Sequence, residues 1–395
     1  MMNSIKSAMK KIHSDLIEFA KDLVKIKSYS GDEKKIIAFI KQKMIELDYD
    51  HVHIDSMGNI VGRIGKGERI IMFDSHIDTV EVNDISEWTH PPFGGVIEDG
   101  RLHGRGSVDM KSSAAASIYA GAVAKRLGFH SNKTIYVSCT VLEEDCDGEN
   151  LKHVFSECGF RPDYMIICEP SENKLVTGHK GKAQVAMKTH GISAHGSAPE
   201  KGSNAIYEMA EIIQRIEKTS ESLSNAPGQH GTLVASKISS LSESLNAVPF
   251  ECEIYLDRRM VLGETKETIK KEMDAIISGK KASWEIGILH RKSWTGMDIR
   301  YHPFHLPWQI DLDHDLTKVC FKAFNKAFGS DPELDYWDFS TNAVTTTAMG
   351  IPTIGFGPGE YKLAHMVNEN CQLSQIIDAC DFYATVINTF GSSPE

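Results

Sequence analysis

The sequence predicts an α/β fold: a largely parallel sheet covered by helices, interrupted by an inserted α+β domain. Three observations carry this. Over the first 180 residues, apolar runs that end in polar residues alternate with helical patterns, as expected for buried strands joined by helical crossovers. Between residues 181 and 292 the strands change to alternating polarity, the pattern of a sheet with one open face. From Ser293 onward the helix and core-strand pattern returns. The expected organisation is one domain made of residues 1–180 and 293–395, with residues 181–292 inserted into it. A chain of 395 residues is long for a single core, which agrees with this division.

The stretch "MMNSIKSAMKKIHSDLIEFAKDLVKIKS" breaks its apolar runs with Lys or Asp at helical spacing. It predicts an amphipathic helix rather than a secretory signal, and no run elsewhere is long enough to span a bilayer. In "SYSGDEKKIIAFIKQKMIEL", Ser30 and Asp32 are the expected helix-start residues. "VHIDSMGNIVGRIG" predicts two short strands around a Met-Gly-Asn turn. "ERIIMFDSHIDTV", "KTIYVSCTVLEE" and "DYMIICEP" predict buried strands, and "SSAAASIYAGAVAKRL" an Ala-rich helix. In the insert, "KAQVAMKTHGISAH", "GTLVASKISS" and "FECEIYLDRRM" predict strands, with helices in "SNAIYEMAEIIQRIEK" and "KETIKKEMDAII". "GIPTIGFGPGE" predicts a last core strand feeding a loop.

Net charge is 43 minus 54, or −11, which disfavours nucleic acid or an anionic membrane as partner. The eight cysteines form no CxxC pair and several lie in apolar runs. That usage predicts a reduced, cytoplasmic protein with buried thiols.

"TVLEEDCDGE" places five carboxylates in ten residues behind a strand. As a calcium loop starting at Glu143 it supplies Asp145, Asp147 and Gly148 in order, but Val154 occupies the position of the obligatory bidentate Glu. A solvated acidic turn or a chemical site remains. In "SHIDTV", His76 and Asp78 are two apart, so a strand points both to one side and lets Asp78 orient the imidazole. Asp109 follows the tight turn of Gly104 and Gly106, just before a helix, where a lone Asp also reads as an N-cap. Glu143, Glu144 and Glu169 close apolar strands, and His365 follows a glycine-rich turn. Singly each has a structural reading. Together, two histidines and several carboxylates converging at the carboxyl edge of an α/β sheet have the composition of a two-metal hydrolytic site. Three carboxylate ligands and a hydroxide balance two divalent cations, and one further carboxylate is left as a base.

Through "SHIDTV", "GRGSVDMK", "LEED", "CEP", "GISAHGSAPEKGSNAI", "LDRRMVLGE" and "FGPGEYKLAHMVNE", the chain resembles the M20 family of metallopeptidases and amidohydrolases from Ser28 to its end. This group includes acetylornithine deacetylase, succinyl-diaminopimelate desuccinylase, aminoacylase and glutamate carboxypeptidase. Within it the chain is most similar to a branch of hydrolases linked to selenium metabolism. The resemblance implies two divalent ions, zinc or else cobalt or manganese, with Asp109 as bridging ligand. His76 and Glu169 would complete one site, Glu144 and His365 the other. It implies that Asp78 orients a ligand, that Glu143 is the base, and that the insert is a lid and homodimer interface. His195 would reach a neighbouring subunit's site, while Asn246, Arg259 and Gly357 would bind substrate. The implied substrate is a small N-acyl amino acid or short peptide with a free carboxylate. A dipeptidase or tripeptidase, a carbamoyl-amide amidohydrolase, and a non-catalytic metal-binding dimer are the alternatives. Two positions depart from the family pattern: Leu262, where a proline usually follows the lid arginine, and Asn342 in "FSTNAV", where many relatives carry Asp. That loop is expected near the substrate.

Overall fold

The computed structural model describes Lys10 and residues 12–391. The N-terminal helix runs His13–Lys25 and buries Leu16, Phe19, Ala20, Leu23 and Val24 on one face. Residues 1–9 and 11 of the expected helix lie outside the described residues. The next helix is Lys34–Glu46, and neither Ser30 nor Asp32 caps it: Glu33 is the N-cap and its own side chain caps nothing. Ser30 is drawn away because its hydroxyl donates to Asp78 Oδ2 at 2.7 Å.

The central nine-stranded sheet is parallel where it matters for the site. Strands Lys133–Thr140, Arg69–His76, Tyr164–Ile167 and Thr353–Gly355 lie side by side and parallel, in that order. Antiparallel strands flank them: Ile60–Gly65 and His51–Ile54 on one side, Leu175–His179 and Trp308–Gln309 on the other. The sheet as a whole is therefore mixed. The two-residue period sorts each core strand between two faces. Ile71 and Phe73 join a core with the helices His13–Lys25, Lys111–Arg126 and Leu373–Thr389. Met72, Met165 and Ile167 join the opposite core with Leu151, Val154 and Phe155 of helix Glu149–Cys158. The result is a three-layer stack whose parallel strands all deliver their carboxyl ends to one edge.

A second, antiparallel sheet has the order Thr232–Leu241, Glu251–Met260, Gly181–His190, Ala282–Ile286. Ala282–Ile286 was not anticipated from sequence. Phe304–His305, from beyond the insert, pairs with the start of Gly181–His190. Helices Ala205–Ser224 and Lys266–Ile277 cover this sheet and enclose a separate core around Met187, Met209, Ile254 and Met273. Strand Thr232–Leu241 is one edge of this sheet, and Val234, Ile238 and Leu241 on it are exposed. No helix of the described residues is long and apolar enough to cross a membrane.

Candidate functional site

The strand Arg69–His76 ends on His76, which is buried at the carboxyl edge of the sheet. Its Nε2 lies 2.8 Å from Asp109 Oδ1 and 3.7 Å from Glu169 Oε1. Its Nδ1 lies 3.0 Å from the main-chain carbonyl of Asp78, closer than the Asp78 carboxylate at 3.6 Å. Both acceptors suit the tautomer that donates from Nδ1 and leaves Nε2 facing the carboxylates.

Asp78 spends its carboxylate elsewhere. Oδ1 accepts from the backbone N–H of Glu143 at 3.1 Å and Oδ2 from that of Glu144 at 3.2 Å. This corrects one sequence expectation: the acidic pair does not prolong a strand. The strand stops at Thr140, Leu142 takes a left-handed φ of 57°, and Glu143–Cys146 form one helical turn. The unpaired amides of that turn need an acceptor, and the Asp78 carboxylate provides it.

Asp109 is not an N-cap either; Met110 holds that position, ahead of helix Lys111–Arg126. Its two oxygens face different histidines, Oδ1 towards His76 and Oδ2 towards His365 Nε2 at 3.1 Å. Glu144 closes on the same His365 nitrogen at 3.0 Å. Ligand atoms of His76, Glu143 and Glu169 lie within 4.8 Å of one another, and so do those of His76, Asp109 and Glu144. Glu143 is buried, and its Oε1 has no hydrogen-bond partner among the described residues.

The charges are crowded. Burial pushes the Glu143 and Glu169 carboxyls well up, and like-charged neighbours add to it. Against burial, Glu169 and Asp109 push His76 well up. Hydrogen bonds to Asp109 and Glu144 push His365 up to about 11. Four carboxylates and two histidines are thus crowded into one buried space, and one of their buried carboxylate oxygens has no hydrogen-bond partner among the described residues. Divalent cations would supply the missing charge, and a mixed set of imidazole and carboxylate donors suits Zn, Mn or Co. The residues fit a two-metal centre.

A cavity of about 270 Å³ opens over this cluster, lined also by Asp147, Pro170, Lys182, Arg259, Phe339, Ser340, Tyr361 and Ala364. Arg259 therefore reaches it, half-buried and paired with Asp257 at 2.8 Å. Lys182 faces Arg259 as its cross-strand partner, which is why both reach one cavity. His195 and Asn246 do not line it. Both are exposed and adjacent, with the Gly196 N–H donating to the Asn246 carbonyl at 2.6 Å. Gly357 does not line it either. It is buried, and a Cβ there would meet the Cys168 and Glu169 carbonyls at 2.3 and 2.4 Å, so glycine allows the close approach that seats Glu169.

The acidic run also divides differently from the solvated reading its later residues invite. Asp145 is a half-exposed partner of Arg291 at 2.8 Å. Asp147 is buried in the cavity wall. It accepts from Lys182 Nζ at 2.6 Å, from Ser340 Oγ at 2.5 Å and from the Tyr301 hydroxyl. Nothing local in the sequence marks this, because its three donors lie 35 to 193 residues away. Asn342 faces inward rather than towards substrate. Its amide donates to Asp74 Oδ2 at 2.8 Å while its oxygen accepts from the Gly148 N–H at 2.8 Å. Only an amide does both, so the departure from Asp has a local cause.

The family model for peptidase family M20/M25/M40 matches residues 72–389, which contain every residue of this cluster. The chain belongs to that family. The Escherichia coli K12 protein YgeY is 36% identical over 382 residues, covering 95% of this chain and 94% of that one. A succinyl-diaminopimelate desuccinylase of Dechloromonas aromatica is 28% identical over 280 residues, 68% of this chain and 74% of its own. The solved dipeptidase Dug1p of Saccharomyces cerevisiae superposes with a TM-score of 0.74 at 14% identity, over 100% of this chain and 99% of that one. That likeness is one of fold. The M20 chain is a metal-dependent hydrolase with a candidate two-metal site at the carboxyl edge of its sheet.

Proposed function

We propose that this M20 hydrolase cleaves the amide bond of a small N-acyl amino acid or short peptide carrying a free carboxylate. The observation that carries the reading is Asp109 spanning two histidines, with the partnerless Glu143 oxygen in the same cavity. Asp109, His76 and Glu169 would hold one divalent ion, and Asp109, Glu144 and His365 the other, with zinc first and cobalt or manganese as substitutes. Such ions, when bound, acidify water and polarise a carbonyl.

The protein's own groups supply the rest. Glu143, buried and not hydrogen-bonded at Oε1, takes the proton of the attacking water and returns it to the leaving amine. Asp78 fixes Glu143 and Glu144 through their amides and His76 through its ring nitrogen. Arg259, on the cavity wall, receives the substrate carboxylate. His195 lies outside its own cavity and, from a second copy, would donate to the oxyanion. Asn246 beside it belongs to the same shared surface. The exposed apolar edge Thr232–Leu241 supports a homodimer through the insert, with residues 181–292 as lid between the halves 1–180 and 293–395. Gly357 seats Glu169 and, as its motif implies, would present its backbone to substrate.

Hydrolysis of N-acetyl and N-succinyl amino acids, dipeptides, tripeptides and carbamoyl amino acids by the metal-loaded protein tests the reading. Turnover of acylated amino acids or of short peptides with a free carboxylate supports it, and the preferred substrate names the subclass. Turnover of carbamoyl compounds alone replaces it with the corresponding amidohydrolase. Silence on every substrate removes it.

A further inference from the structure

One buried ion pair behind the site belongs to neither metal position nor substrate. Arg105 Nη1 donates to Glu369 Oε2 at 2.6 Å, and both side chains are almost wholly buried. Glu369 Oε1 accepts the backbone N–H groups of Val108 at 2.8 Å and Asp109 at 3.1 Å. The other arm of Arg105, Nη2, donates to the main-chain carbonyl of His365 at 3.3 Å. The pair thus holds the backbone of Asp109 and that of His365 at once.

The two loops concerned also meet through the Asp109 and His365 side chains, and they are joined at their far ends. Strand Arg101–His103 pairs with Asn370–Gln372, and the Gly104 N–H donates to the Glu369 carbonyl at 2.9 Å. Beyond that point each chain leaves the sheet to reach its site residue. His365 does so at a φ of 62°, in the left-handed region that few residues with a side chain adopt, and its carbonyl is held there by Arg105. An isolated buried ion pair is poor value for stability, since desolving two charges offsets their attraction. A pair that also fixes the backbones of two facing site residues is accounted for by position instead.

We propose that Arg105 and Glu369 are positioning residues that set the separation of Asp109 and His365, and through it the affinity of the metal position those two share with Glu144. This rests on the reading that these residues hold metal. Without the pair, the loop carrying His365 would sample other positions and the preorganised donor set would be lost.

The test is a titration of metal-free wild type, Glu369→Gln and Arg105→Lys with Zn(II) alone, read by competition with a chromophoric chelator, alongside circular dichroism of each protein. Glu369→Gln keeps an acceptor for the two amides but faces Arg105 with a donor. Arg105→Lys keeps the charge pair but loses the fork to His365. The expected result is two Zn(II) per wild-type chain, with one of them weakened about 10–100-fold in a folded variant, the range typical of groups that orient metal ligands. If Glu369→Gln does not fold, Arg105→Lys decides. Wild-type affinity for both ions in every folded variant overturns the positioning role. A wild type that takes up no Zn(II) overturns the metal reading and the positioning role with it, and is recognised before any variant is compared.

Discussion

Asp78 accepts hydrogen bonds from two consecutive backbone amides, those of Glu143 at 3.1 Å and Glu144 at 3.2 Å, with separate oxygens of one carboxylate. Its main-chain carbonyl meanwhile meets His76 Nδ1. A single residue thus sets the orientation of the proposed base, one ligand of each metal position, and the turn that separates them. Ser30 completes the arrangement by donating to Oδ2 at 2.7 Å.

Replacing this carboxylate should therefore damage more than one function. Asp78→Ala leaves the first two amides of helix Glu143–Cys146 without an acceptor. Metal affinity should fall about 10–100-fold, the range for residues that orient metal ligands. The turnover number should fall as well, even at saturating metal. Zn(II) titration and steady-state kinetics check both; wild-type affinity in Asp78→Ala would mean the turn holds without it.

Asn342 makes a sharper prediction about charge. The Asn342→Asp variant introduces the residue that the family resemblance implies but sets a second carboxylate against Asp74, whose own carboxyl is already pushed up by burial. The substitution should destabilise the protein by about 1–3 kcal/mol at neutral pH, the cost of a buried polar group left unpaired. The introduced carboxyl would have a raised pKa in the fold. Its stability contribution would then be present below the unfolded value and lost as pH rises. Urea denaturation should show the deficit shrinking towards pH 4.

His179 carries a pH dependence of its own. Burial pushes it down to about 4, and its Nδ1 donates to the Lys180 carbonyl at 2.7 Å. The unfolded chain binds this proton near pH 6.5 while the folded one refuses it until about pH 4. The neutral ring thus favours the fold above pH 6.5, and that advantage disappears as pH falls towards 4, by about 3 kcal/mol in all. A His179→Gln variant should lose stability less steeply than wild type over this window. Equal slopes would contradict the assignment.

The fold was legible where periodicity and strand ends carry local information. Apolar runs such as "IIMF" and "YMII" became adjacent parallel strands, and His76 and Glu169 came to one edge as any such sheet requires. What stayed hidden depends on partners far along the chain. Asp147 looks like part of an acidic loop until Lys182, Tyr301 and Ser340 surround it. Glu33 caps by position rather than by the Ser30 and Asp32 signal, because Ser30 is committed to Asp78. Gly357 is read from its motif as a substrate contact; the structure adds a packing reason for it, the space beside Glu169.

His195 offers a test of assembly. Its ring is exposed and its Nδ1 accepts from the Ser197 N–H at 3.1 Å, outside its own cavity. Mixed heterodimers of His195→Ala and Glu143→Ala chains, each inactive alone, contain one site with both groups intact. Partial activity should return on mixing. No return, with subunit exchange demonstrated, would sink the assignment of His195 to the neighbouring subunit's site.

The central claim is that Glu143 works beside a pair of metal ions without holding them. Elemental analysis of wild-type and Glu143→Gln protein, purified without chelator, tests it most directly when the same samples are assayed for amide hydrolysis. The account predicts two divalent ions per chain in both, with turnover reduced about 10²–10⁴-fold in the variant, the share of a general base. Loss of metal in Glu143→Gln, or undiminished turnover with the metal retained, would contradict it.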